Sequence, residues 1–184
     1  MKLGIYVGSF NPVHVGHIDI VKYLLDNNYV EKVLIVPTLN YWDKNDLIDI
    51  NDRINMLKFF ESDKIIIDTK YNKYIYTYEL FNVLKEDNRY KDYDLYLIIG
   101  ADNIINFDKW KEYKELLKYK TIIMNRDNID VNYYIKKLGG DNFIVVKDYN
   151  YINISSTEIR NGENKYLDYR VLEYMKKKKL YGRK

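Results

Sequence analysis

Leu3-Gly4-Ile5-Tyr6-Val7-Gly8-Ser9-Phe10-Asn11-Pro12-Val13-His14-Val15-Gly16-His17 is the stretch on which the reading of this chain turns. An apolar run, Leu3 to Val7, ends at a glycine, and a turn-forming segment follows. Ile18, Val21, Tyr23, Leu24 and Leu25 then recur with the helical period. The unit is strand, turn, helix. Gly8 permits a backbone that a side chain would forbid, and close approach of a ligand. The start of the next helix carries unpaired N–H donors and a partial positive charge, a natural phosphate site. His14 and His17 stand three residues apart, so one helical turn puts them on one face. They are the two histidines of the whole chain. Imidazole donates hydrogen bonds to phosphoryl oxygens and is readily protonated near neutral pH. Phosphoryl or nucleotidyl transfer needs mostly positioning and charge stabilisation, which two such donors on a helix N-terminus supply. Two other uses of the pair stay open. One is a metal site, for which Asp19 is the nearest carboxylate. The other is a structural helix cap.

Outward from this segment the strand-like runs repeat. Lys32 to Val36 ends at Pro37, and Ile65 to Asp68 follows. Leu95 to Ile99 ends at Gly100; Thr121 to Met124 and Phe143 to Val146 complete the set. They are nearly continuous apolar runs rather than alternating ones, as in strands buried on both faces of a parallel sheet. Helical patterns lie between them: Arg53 to Phe60 with Asn51 or Asp52 as N-cap, Tyr78 to Leu84, Trp110 to Leu117 and Tyr133 to Leu138. Val171, Leu172, Met175 and Leu180 mark a last helix. The βαβα alternation predicts an α/β fold, a doubly wound parallel sheet with flanking helices. In that fold, ligands bind beyond the carboxyl ends of the strands, where strand order reverses. No repeat or Pro-, Gly- or Ser-rich linker splits the chain, so residues 1–184 read as a single domain.

Composition excludes other classes. Thirty basic and 27 acidic residues give a net charge of +3, too little for a whole-protein field toward nucleic acid. The run Lys176 to Lys179 reads as a solvated helix face. No cysteine is present, which removes disulfides, thiolate catalysis and cysteine zinc sites. No stretch approaches the roughly 18 to 20 apolar residues of a membrane span, and no signal peptide is visible at the start. The expected setting is the cytoplasm, with no membrane and no nucleic-acid partner. The sequence leaves a homo-oligomer open.

Two further clusters carry chemistry. Ile154-Ser155-Ser156-Thr157-Glu158-Ile159-Arg160 opens a helix with three hydroxyls and places an arginine one turn on. Ser155 or Ser156 with Glu158 fits an N-cap. Arg160 is not explained by capping and suits bidentate phosphate contacts. Ile98-Ile99-Gly100-Ala101-Asp102-Asn103 ends a strand with a carboxylate that could accept from ribose hydroxyls, or cap the following helix. Trp110 offers a flat face for stacking, or a core residue.

The opening segment resembles the GxFxPxHxGH signature of the adenylyltransferase and cytidylyltransferase superfamily, whose fold is Rossmann-like. Ile154 to Arg160 resembles its ISSTxIR motif. Gly100-Ala101-Asp102, Trp110, Tyr113 and Leu116-Leu117 are similar to the pattern of the nicotinate (or nicotinamide) mononucleotide adenylyltransferases. Arg53, Met56 and Leu57 resemble an RxxML helix of that family, and Tyr76-Thr77-Tyr78-Glu79-Leu80 partly resembles YTxDTL. Pro37 with Lys44 resembles the loop after the second strand. That loop, Leu39-Asn40-Tyr41-Trp42-Asp43-Lys44, departs from the family's proline-rich form.

The resemblance implies a catalytic set of His14, His17, Lys44 and Arg160. It implies ATP contacts from Gly8, Ser9, Phe10, Gly16, Gly100, Asp102, Ile154, Ser155, Ser156 and Thr157. Asn11, Thr77, Trp110 and Arg126 fall to the mononucleotide. No protein metal site is implied; Mg²⁺ accompanies ATP as co-substrate. The expected reaction joins nicotinate mononucleotide to the AMP of ATP, giving deamido-NAD and pyrophosphate. Nicotinamide mononucleotide or phosphopantetheine as acceptor, and a nucleotide-sensing module on the same fold, are the alternatives.

Overall fold

In the computed structural model, which describes residues 1–39, 47–126 and 128–184, six parallel strands form one sheet in the order β3-β2-β1-β4-β5-β6. The strands are β1 (Lys2–Gly8), β2 (Lys32–Pro37), β3 (Ile65–Ile67), β4 (Asp94–Gly100), β5 (Lys120–Met124) and β6 (Phe143–Val146). The chain starts mid-sheet, winds out through β2 to β3, then returns past β1 to β4 and winds out the other way. The reversal therefore lies between β1 and β4. Ile5 pairs with Leu97 there, and the two strands end at Gly8 and Gly100.

The helices are α1 (Val15–Asp26), α2 (Ile50–Leu57), α3 (Thr77–Glu86), α4 (Ala101–Ile104), α5 (Tyr113–Leu116), α6 (Val131–Leu138), α7 (Ser156–Arg160) and α8 (Tyr169–Lys178). They cover both faces of the sheet, which is why the strands carry apolar residues on both sides. Val33, Ile35, Tyr96, Ile98, Ile122 and Met124 face one side. There they pack with Ile18, Val21 and Leu24 of α1, Met56 and Leu57 of α2, and Val171 and Met175 of α8. Leu3, Ile5, Leu34, Leu95, Leu97 and Ile123 face the other, against Leu80, Phe81 and Leu84 of α3 and Ile104 of α4. Leu3, Ile5 and Ile35 are fully buried, and each such side chain contributes about 2 kcal/mol.

Three differences from the sequence reading have local causes. α2 begins at Ile50, because Asp49, rather than Asn51 or Asp52, caps it by accepting from the Asn51 N–H at 2.8 Å. The helix expected over Trp110 to Leu117 shrinks to the four residues of α5. Glu112, at φ 51°, is left-handed and breaks the helical path just before it. α8 begins at Tyr169, two residues ahead of the apolar pattern, where Asp168 accepts from the Arg170 N–H. Among the described residues no helix is long and apolar enough to cross a membrane.

Candidate active site

At the carboxyl end of the sheet, over the β1–β4 reversal, lies a cavity of about 530 Å³. β1 contributes Tyr6 and Gly8 to its lining, and the turn after β1 contributes Ser9 and Phe10. The start of α1 adds His14, Gly16 and His17. β4 ends in Gly100, followed by Asp102, and β5 is followed by Arg126. Thr77, Trp110, Ile154, Ser155 and Ser156 complete the expected residues that line it. Asn11, Thr157 and Arg160 stand outside the lining, and Lys44 lies outside the described residues.

The two motif segments, some 140 positions apart, are tied together directly. Ser156 Oγ donates to the Pro12 carbonyl at 2.9 Å, and Arg160 Nη1 donates to the Asn11 carbonyl at 2.9 Å. Arg160 Nη2 also donates to Thr157 Oγ1 at 3.1 Å. Arg160 and Thr157 thus hold the back of the turn in this structure. Asn11 is 2 % exposed, and its Oδ1 accepts from the Tyr181 hydroxyl at 2.5 Å and from the Ile48 N–H at 3.4 Å. α7 forms because Ser155 accepts from the Glu158 N–H at 3.2 Å while Glu158 accepts from the Ser155 N–H at 2.8 Å. Gly16 sits where a side chain would be tight. A Cβ there would meet the His14 ring at 3.1 Å and Ile154 at 3.2 Å, so both motifs close on it.

The histidine rings stack, with centroids 3.7 Å apart. His17 Nδ1 accepts from the His14 backbone N–H at 3.2 Å. A neutral His17 therefore carries its proton on Nε2, a tautomer assigned from that bond, and presents a donor there. Burial, then the charge of Arg126, pushes His14 down to about 4. Burial, His14 and Arg126 hold His17 well below its ordinary value. In this structure both rings are neutral at pH 7, unlike the easily protonated imidazoles that the residue types alone suggest. Asp19 does not approach as a metal partner: its Oδ2 accepts from the Tyr149 hydroxyl at 2.6 Å. No three His, Cys, Asp or Glu side chains cluster as a metal cage among the described residues.

Asp102 and Arg126 meet at 2.8 Å, a charge pair open to the cavity. Trp110 lies 5.1 Å from Phe107, ring centre to ring centre, so one face packs on a core aromatic while the residue borders the cavity. Sequence reading missed Tyr6, Tyr149, Tyr151 and Asn103 on the wall. Tyr6 alternates with Ile5 along β1, so its side was legible once the core face was known. Tyr149, Tyr151 and Asn103 carried no local signal.

The cytidylyltransferase-like family matches residues 5–162. The chain is 38% identical to the probable nicotinate-nucleotide adenylyltransferase of Fusobacterium nucleatum, over 98% of this chain and 96% of that protein. It is 36% identical to the protein of the same name from Acholeplasma laidlawii, over 96% of each. Its backbone superposes on the Plasmodium falciparum nicotinic acid mononucleotide adenylyltransferase complexed with NaAD. The TM-score is 0.83 and the identity 25%, covering all of this chain and 98% of that one. With the two motifs joined at the sheet's reversal and relatives of this kind along its whole length, the chain belongs to the cytidylyltransferase-like family and, within it, to the nicotinate-nucleotide adenylyltransferases.

Proposed function

We propose that this protein joins nicotinate mononucleotide to the AMP part of ATP, releasing pyrophosphate and forming deamido-NAD. The observation that carries the reading is the direct tie between the Gly8–His17 turn and α7 at the rim of one cavity. The acceptor's phosphate attacks the α-phosphorus of ATP in line; a P–O bond forms to it as the bond to pyrophosphate breaks. The attacking phosphate is already anionic, so no carboxylate base is needed. The His17 Nε2–H, His14 and the backbone donors of the turn stabilise charge on the transferring phosphorus. Ser155, Ser156 and the α7 N-terminus hold the triphosphate, with Thr157 and Arg160 behind them, and Lys44 adds its charge to the phosphates. Asp102 takes a ribose, and Arg126 and Thr77 serve the mononucleotide. Trp110 stacks its free face on the pyridine ring.

Mg²⁺ belongs to the substrate in this scheme: it arrives bound to the ATP phosphates and neutralises part of their charge. The reading extends to one domain acting in the cytoplasm on small molecules, with no nucleic-acid partner. Its test is His17→Ala. Loss of one pre-aimed donor lowers kcat/KM by about 100-fold; an unaltered rate of dinucleotide formation would overturn the mechanism.

A further inference from the structure

Behind the turn lies a charge that the reaction does not account for. Arg53, on α2, is 2 % exposed, and its guanidinium is surrounded by protein. Burying a charge is costly unless its donors are satisfied. Here they meet backbone carbonyls. Nη1 donates to Ser9 O and to Thr38 O, each at 2.7 Å, and Nε donates to Ile48 O at 3.2 Å. Ser9 belongs to the turn after β1, Thr38 to the end of β2, and Ile48 to the approach to α2.

A trans peptide is a rigid plane with its C=O and N–H pointing in opposite directions. The Ser9–Phe10 and Thr38–Leu39 bonds are trans. With both carbonyls drawn back onto Arg53, the amides of Phe10 and Leu39 face the other way. Ser9, Phe10, Thr38 and Leu39 all line the cavity. Phe10 also sits at φ 45°, a left-handed conformation that a bulky side chain adopts only when its surroundings impose it. The Phe10 ring is wedged against Tyr6 and His17, with centroids at 5.3 and 5.0 Å, and Arg53 fixes the carbonyl just before it.

We infer that Arg53 is a positioning residue for nucleotidyl transfer: its buried guanidinium aims the Phe10 and Leu39 amides at the phosphates of the bound nucleotide. Arginine suits this role because its planar fork reaches three carbonyls at fixed angles, whereas lysine offers one compact point charge. The inference rests on the reaction proposed above.

Arg53→Lys tests it, with steady-state kinetics in both substrates and a thermal melt. Misaimed transition-state donors lower kcat by about 100-fold. KM for MgATP rises by less than kcat falls, because the donors meet the phosphates of bound ATP but matter most where charge develops in the transition state. A merely structural role lowers the melting temperature and leaves kcat of the folded protein within about threefold of the unaltered enzyme, and that result overturns the inference. A second measurement needs no variant. In ¹⁵N-labelled unaltered protein, MgATP shifts the Phe10 and Leu39 amide resonances; if neither moves while ATP binds, the inference falls. Turnover by the unaltered enzyme is scored separately, so failure of the proposed reaction is distinguishable from failure of the role of Arg53.

Discussion

His14 and His17, the donors of the proposed mechanism, are held neutral chiefly by burial. His14 is held at about 4 in the folded protein, against roughly 6.5 in an unfolded chain. As pH falls from 6.5, the unfolded chain takes the proton first, so stability is full above that value and is lost toward pH 4. Between pH 7 and pH 5 this one group removes about 2 kcal/mol. Urea midpoints should show that loss in the native protein and a smaller one in His14→Gln; parallel pH profiles would contradict it. A triphosphate beside the ring favours its charged form, so ATP binding below neutral pH should take up a proton, seen as buffer-dependent heat in calorimetry. Asp102→Asn separates function from stability at the other wall. Both partners of the Asp102–Arg126 pair are partly exposed, with side-chain exposures of 49% and 36%, and such pairs contribute about 0–1 kcal/mol. The melting temperature should therefore barely move, while the weaker ribose contact lowers kcat/KM by about tenfold. The pair of histidines, which does line the cavity, stood out in the sequence by residue type and spacing; Arg160 stood out too, but the structure turns it onto the Asn11 carbonyl, outside the lining. The protonation of the histidines was not legible, because it depends on burial by residues far along the chain. Arg53 was legible as part of a helix pattern, but its carbonyl contacts depend on where three separate segments meet.

At the scale of elements, strands with continuous apolar runs were readable, since burial on both faces removes polar positions from the sequence itself. The long helices α1, α3 and α8 were readable for the complementary reason, one apolar stripe against the sheet. The short helices were harder. α4 and α5 have four residues each, too few for a period, and α5 is set by the left-handed Glu112. α7 is also short, yet its start was visible through its capping residues. That cap gives a prediction at this scale. Ser155→Ala removes the acceptor for the Glu158 N–H and costs about 1 kcal/mol. Because α7 is tied to Pro12 through Ser156, loosening its first turn should raise KM for ATP more than KM for the mononucleotide. Equal changes in the two constants would show that α7 does not serve the triphosphate.

The whole molecule brings together what the sequence separates. The strand order places β1 beside β4, so the Gly8 turn, Asp102 and Arg126 reach one crevice. The chain after β6 then crosses back to tie α7 to the turn that precedes α1. Alternation of strands and helices gave the fold class, and the reversal rule placed the site at strand ends. The sequence could not show how the crossing segment 147–155 would wall the cavity with Tyr149 and Tyr151, because that depends on the route of the chain rather than on any local pattern. In the proposed reaction this crevice joins a pyridine mononucleotide to the AMP of ATP. The most direct measurement is the pair of kcat/KM values for nicotinate and nicotinamide mononucleotide with ATP and Mg²⁺, following dinucleotide and pyrophosphate together. One pyrophosphate per dinucleotide and a higher value for the nicotinate form are the expected result. No dinucleotide from nicotinate mononucleotide, or efficient turnover with phosphopantetheine in its place, would contradict it.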